Sequence, residues 1–105
     1  MSKGSKYDEG KPPLGQIIKG IQPAFNEVLD VLINGADTHG VNNWQKVEAV
    51  RFEDALFRHI NSYLNGELID KESGKSHLSH IVCNCLFLRW MELENNETLW
   101  KSIWS

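Results

Sequence analysis

Residues 53–88, EDALFRHINSYLNGELIDKESGKSHLSHIVCNCLFL, set two apolar segments either side of a polar connection. Projected at roughly 100° per residue, Ala49, Phe52, Leu56, Ile60, Tyr63 and Leu64 share one helical face. That helix should begin between Trp44 and Val50 and end at Asn65-Gly66, where glycine stops it. Asp54 and Arg58 project to the opposite, polar side, and His59 lies at the apolar edge beside Phe52. Glu53 is the misfit, because its angle falls between Ile60 and Leu64. A carboxylate carried into a core costs on the order of several kcal/mol unless a cation, a metal or a hydrogen-bond donor meets it.

Ser76 suits the N-cap of a second helix from this stretch. The run IVCNCLFL that follows offers one polar side chain, Asn84, so this helix is expected at the centre of a bundle. His77, His80 and Asn84 recur at i, i+3 and i+7 and so form one stripe. With His59 before the connection and Asp70 and Glu72 inside it, imidazoles and carboxylates gather where two helices meet. A helical bundle does not require such grouping in order to fold.

Toward the N-terminus, a short turn over Gln16–Ile21 is expected before a further helix that starts at Pro23, whose missing N–H costs nothing at a first helical position. Phe25, Val28, Leu29, Leu32 and Ile33 form its apolar stripe, Glu27 and Asp30 lie on its far side, and Asn34-Gly35 ends it. ADTHGVNNW reads as loop, with Trp44 covering a core edge. Residues 1–15, rich in Lys, Gly, Pro and Ser, read as an arm or lid. Beyond Asn95-Asn96, ETLWKSIW reads as a short tail helix whose Trp100 and Trp104 make a dimer contact.

A chain of 105 residues forms one domain. Residues 1–105 therefore read as a single all-α domain: an arm over 1–15, a helical core over 16–95 and a tail helix over 96–105. Four tryptophans in this length suggest apolar surface covered by a second chain, so a homo-oligomer, dimer or higher, is expected. A net charge of -3 argues against a duplex nucleic-acid partner. No apolar run is long enough for a membrane span and no leader pattern appears, which points to the cytoplasm. Cys83 and Cys85 are too few for a zinc site and point apart on a helix, so both read as reduced, buried small hydrophobes.

Histidines with carboxylates suit a divalent metal, acid–base work or phosphate binding. There is no HExxH pair and no Gly-rich phosphate loop. His77 opens a helix, where free N–H groups favour phosphate, and Lys11, Arg58 and Lys75 add positive charge.

Lys6-Tyr7-Asp8, Gly10-Lys11-Pro12, Gly35-Ala36, Asn43-Trp44, Arg58-His59, Gly66-Glu67, Asp70, Glu72-Ser73-Gly74, His77-Leu78, His80 and Asn84 occur in an order that resembles a small phage-encoded family. The family is named after the N-terminal domain of dATP/dGTP diphosphohydrolases and is related to the MazG-like all-α pyrophosphohydrolases. The resemblance covers about residues 6–93. It implies an oligomeric, all-helical protein of the infected cell's cytoplasm, converting purine deoxynucleoside triphosphates to monophosphate and pyrophosphate with Mg2+ or Mn2+. By that resemblance Glu53 and Asp70 hold the metal or its water, and Glu53, His59 and Asp70 form the catalytic group. Lys11, Asn43, Trp44, Arg58, His77, His80 and Asn84 then bind the nucleotide and its phosphates.

MazG-like enzymes hold magnesium with an ExxE pair on one helix and an ExxD pair on the next, whereas here Glu48, Glu53 and Asp54 are not spaced as ExxE and the helix that follows Ser76 carries no ExxD. The alternative is therefore a non-catalytic protein that sequesters a nucleotide, or a nucleotide-derived signal, in the same pocket. A third reading is a helical adaptor whose histidines only brace the fold.

Overall fold

A computed structural model describes residues 9–95. Among these the order is α1 (Leu14–His39), a 3-10 turn (Asn43–Lys46), α2 (Ala49–Leu64) and α3 (His77–Asn95). The all-α expectation holds. The tail helix with Trp100 and Trp104, and the first eight residues of the arm, lie outside the described residues.

The largest correction concerns α1. It runs unbroken for 26 residues with Pro23 inside it, where a turn and a separate helix were expected. Pro23 removes one backbone hydrogen bond, to Lys19, and this loss is tolerated in a long helix already nucleated on both sides. Nor does Gly35 end α1. It stays helical, and the stop falls at Gly40, whose φ of 100° only glycine adopts readily and whose N–H returns to the Ala36 carbonyl. Ala36–His39, read as loop, is the last helical turn.

α2 has the bounds read from its periodicity. At its end Gly66 turns the chain at φ 92°, and the Glu67 N–H reaches back to the Ser62 carbonyl, as in a Schellman cap. The connection then closes on itself. The Asp70 N–H donates to the Lys75 carbonyl at 2.8 Å and the His77 N–H to the Leu68 carbonyl at 3.0 Å, with Ile69 and Ser76 forming an isolated antiparallel bridge. Ser76 caps α3 as expected, its Oγ accepting from the Leu78 N–H at 3.1 Å.

α3 is the middle helix, packed on α2 along one side and on α1 along another. The α1 contact is partly polar, and this overturns the far-side reading of Glu27. Its Oε1 accepts from the Ser76 N–H at 3.0 Å and from Ser79 Oγ at 2.7 Å, clamping the start of α3 to α1. These hydrogen bonds, Ser79 first, hold the Glu27 carboxyl below its ordinary range. Lys75 lies 3.6 Å from Asp30 on the same side.

Along the α2–α3 seam Trp44 stacks on Phe87 with centroids 4.7 Å apart, meets Trp90 edge-on, and leaves Phe87 to pack against Phe52. Cys83 is buried, its thiol donating toward the Val28 carbonyl and its pKa pushed up to about 11 by burial. Cys85 is exposed, contrary to the expectation for both cysteines, because the face of α3 that carries it meets neither neighbour.

Candidate functional site

The hairpin-like connection and the start of α3 bring three of the four histidines together. His59, near the end of α2, points its Nδ1 at Nδ1 of His77, 2.8 Å away. Its ring also lies flat on that of His80, 4.5 Å between centroids and 7° from parallel. The i, i+3 spacing on α3 does this, since it lets one imidazole from α2 touch both. His77 is almost fully buried, whereas His59 and His80 keep an open edge.

Two carboxylates anchor the rings. Glu67, carried back by the Gly66 turn, accepts from His77 Nε2 at 2.6 Å. Asp70 Oδ2 accepts from Ser73 Oγ at 2.8 Å and from the Ser73 N–H at 3.3 Å, and stands 3.4 Å from His80 Nε2. Ser73 Oγ in turn meets His80 Nε2 at 2.7 Å and the Lys75 N–H at 3.2 Å.

Proton positions follow from donor counting in the neutral network. The single hydroxyl proton of Ser73 goes to Asp70, so His80 donates its Nε2–H to Ser73. His77 donates its Nε2–H to Glu67 and accepts at Nδ1, so His59 donates its Nδ1–H. The outer nitrogen of His59, Nε2, is then left with a lone pair.

Burial pushes the His59 and His80 pKa values below the ordinary histidine range; the neighbouring imidazoles reinforce this while Asp70 opposes it. For Asp70 burial acts upward, but the Ser73 hydroxyl, backbone donors and His80 outweigh it and the carboxyl lies below its usual range.

The other expected site residues fall elsewhere. Asn84 is buried, but its amide donates to the His80 carbonyl one turn back at 2.8 Å. Asn43 and Trp44 sit at the aromatic end of the seam, about two helical turns from the imidazoles, as the pairs Phe52/His59 and Phe87/His80 show. Arg58 is exposed on α2. Lys11 lines an open hollow at the start of α1 with Pro12, Pro13 and Lys19, a hollow to which no histidine contributes.

Glu53 does not join Asp70. It precedes His59 by six residues, about 9 Å along α2 and roughly 120° around it. Its Oε1 is shielded from solvent and has no hydrogen-bond partner, and burial, with the Asp54 charge, raises its pKa. Among the described residues no three His, Cys, Asp or Glu side chains are disposed to hold a metal ion together. Neither Glu53 nor Asp70 belongs to such a group.

A charge that lacks a partner is a burden at neutral pH. Since the folded-state pKa is raised, the burden disappears as pH falls through that value. Glu53→Gln should accordingly raise Tm at pH 7 by roughly 1–4 °C, with the gain vanishing below about pH 4. Thermal unfolding of both proteins across that range measures it; a lower Tm for the variant at pH 7 would mean that the carboxylate has a stabilising partner.

Sequence reasoning missed Glu67 and Ser73 as members of the network. Their signal was the pair of glycines beside them, Gly66 and Gly74, both at positive φ, which fold the connection back over α3.

Fold and site together define an all-helical domain with a polar, histidine-centred network at one interhelical connection. The chain belongs to the family described as dATP/dGTP diphosphohydrolase, N-terminal, whose model it matches over residues 1–99. It is 35% identical over 103 residues to a protein of Salmonella phage PMBT28 named dATP/dGTP diphosphohydrolase. That match takes in 97% of this chain and 34% of the relative, so the chain spans about a third of the relative's length. No solved structure matches it significantly. No described helix is long and apolar enough to cross a membrane.

Proposed function

We propose that this chain handles purine deoxynucleoside triphosphates in the phage-infected cell and takes part in their hydrolysis to monophosphate and pyrophosphate. The observation that carries the reading is the convergence of His59, His77 and His80, held by Glu67 and Asp70, in a chain of this family. The relative's name supplies the substrate class. Phosphate oxygens are acceptors only, and the open edges of His59 and His80 become donors to them on protonation. Arg58, exposed on α2 near the connection, adds charge without being consumed by the network, and Lys71 adds a second cation 3.8 Å from Glu67. His77, closed in between His59 and Glu67, orients the others and does not itself touch phosphate.

Hydrolysis of this kind is helped by Mg2+ or Mn2+ that neutralises phosphate charge. Among the described residues the carboxylates and imidazoles do not assemble in a group of three or more around such an ion. That same observation favours the second reading, sequestration without turnover. Incubation of the purified chain with dATP or dGTP and either metal, followed by product chromatography and a thermal-shift run, distinguishes them. We expect a rise in Tm with either triphosphate, with release of monophosphate and pyrophosphate. A rise in Tm without products supports sequestration. No shift and no products would remove the nucleotide proposal altogether.

A further inference from the structure

Glu67 ends a line of hydrogen-bonding groups, and its chemistry gives that line a direction. An ionised carboxylate only accepts. With its Oε1 at 2.6 Å, Glu67 fixes the proton of His77 on Nε2, and His77 is too deeply buried to trade that bond for water. Nδ1 of His77 must then accept, and the atom 2.8 Å from it is another Nδ1, that of His59. Two nitrogens facing each other hold one proton between them, so His59 supplies it and keeps a lone pair on Nε2. That outer nitrogen is not sealed in: among the described residues the buried side-chain atom without a partner is Glu53 Oε1, and His59 Nε2 is not of that kind. Glu67 therefore reaches solvent a second time, through two rings.

The same line decides which ring can hold an added charge. Burial disfavours an imidazolium at His59 first, the charges of His80, His77 and Arg58 add to this, and Asp70 opposes them. His80 stands 3.4 Å from Asp70 and shares it with the Ser73 hydroxyl. His77 alone touches a carboxylate directly, and the other oxygen of that carboxylate has Lys71 3.8 Å away. An imidazolium removed from water needs such a contact, so His77 is the ring suited to carry the charge.

We propose that Glu67 is a positioning residue that sets, through buried His77, whether His59 turns a lone pair or an N–H to solvent. When a proton binds His59 Nε2, the Nδ1–H bond of His59 breaks and that proton bonds to His77 Nδ1 across the 2.8 Å gap. His59 ends neutral with its Nε2–H outward, His77 ends as the imidazolium against Glu67, and the network has gained one proton. A solvent-facing acceptor thus becomes a donor with no charged ring at the surface. That this donor meets a phosphate oxygen rests on the nucleotide reading above, whereas the order of the protons does not.

Nitrogen NMR of the isotope-labelled full chain, free of ligand, reads both states, because imidazole nitrogen shifts separate N–H from a lone pair. At about pH 8 His59 should be protonated on Nδ1 and His77 on Nε2. On acidification His77 should become doubly protonated while His59 changes to Nε2–H. Glu67→Gln keeps the shape, checked by circular dichroism, but its amide can donate as well as accept. The single tautomer order should then be lost, and proton uptake by the pair should weaken at least about tenfold, a fall of roughly one pH unit in its midpoint. Glu67→Asp, still an acceptor only, should keep the wild-type tautomers. Calorimetry with dGTP should show proton uptake on binding in the wild type and little in Glu67→Gln. Tautomers and midpoint unmoved by Glu67→Gln, as a mere brace would leave them, or an acid state with His59 doubly protonated and His77 neutral, would each overturn the proposal. Failure of dGTP to bind removes the nucleotide reading alone, since the ligand-free spectra have by then decided the order of the protons.

Discussion

Replacing His77 with alanine is expected to cost the fold about 2–4 kcal/mol and to abolish the thermal shift caused by dATP or dGTP. The imidazole is 2% exposed and spends both ring nitrogens inside the protein, one on Glu67 at 2.6 Å and one on His59 at 2.8 Å. Its loss therefore acts twice. A ring-sized void opens at the start of α3, and two polar groups are left without their partner, at about 1–3 kcal/mol for each one that water cannot reach. Glu67 is partly exposed and recovers some of this from solvent. The upper end of a simple sum is therefore not reached. For a domain of this size the change corresponds to a fall in Tm of roughly 10–20 °C, read from thermal or urea unfolding. His77→Gln separates the two losses, because its amide nitrogen reaches toward Glu67 while nothing replaces Nδ1. It should recover stability more than ligand response. If alanine costs less than about 1 kcal/mol, the network is not what holds the connection against α3.

What was legible in the sequence, and what was not, divides along physical lines. α2 and α3 were readable because an apolar period, a glycine stop and a serine cap agree at their ends. The fold class followed from them. α1 was misread because Pro23 and Gly35 are local signals, and both were overridden by a 26-residue helix that tolerates one missing hydrogen bond and one flexible residue. The histidine grouping was legible from spacing, since i, i+3 on one helix and one residue on its neighbour must meet if the helices pack. Their partners were not. Glu67 depends on the direction of the Gly66 turn, and Glu27 depends on which side of α1 faces α3, which no period in α1 alone reveals. Glu53 was correctly singled out as a carboxylate in the wrong place. Its pairing with Asp70 came from the family resemblance and not from any spacing in this chain.

Affinity for a nucleoside triphosphate is expected to rise as pH falls from about 7.5 to 6, by up to tenfold per pH unit for each proton taken up. The free protein holds His59 neutral, with Nδ1–H given to His77 and a lone pair on the outer Nε2. A phosphate cannot accept from a lone pair. Binding at that edge requires a proton on Nε2, and His59 resists it because burial, and then the charge of a protonated His80, disfavour the imidazolium. A bound triphosphate reverses the balance, as its negative charge favours imidazolium. Protons are consequently taken up on binding, and mass action makes acid favour the complex. Stability of the ligand-free chain runs the other way. With folded-state pKa values depressed at His59 and His80, the unfolded chain binds protons more readily, so stability present above the ordinary histidine value is lost as pH falls through it. The two trends of opposite sign are the signature. Calorimetric titration with dGTP in two buffers of different ionisation enthalpy counts the protons directly, and His59→Asn should flatten the pH dependence while leaving His80 in place. Affinity that stays level across this range, with no proton uptake, would mean that the triphosphate does not sit on these imidazoles.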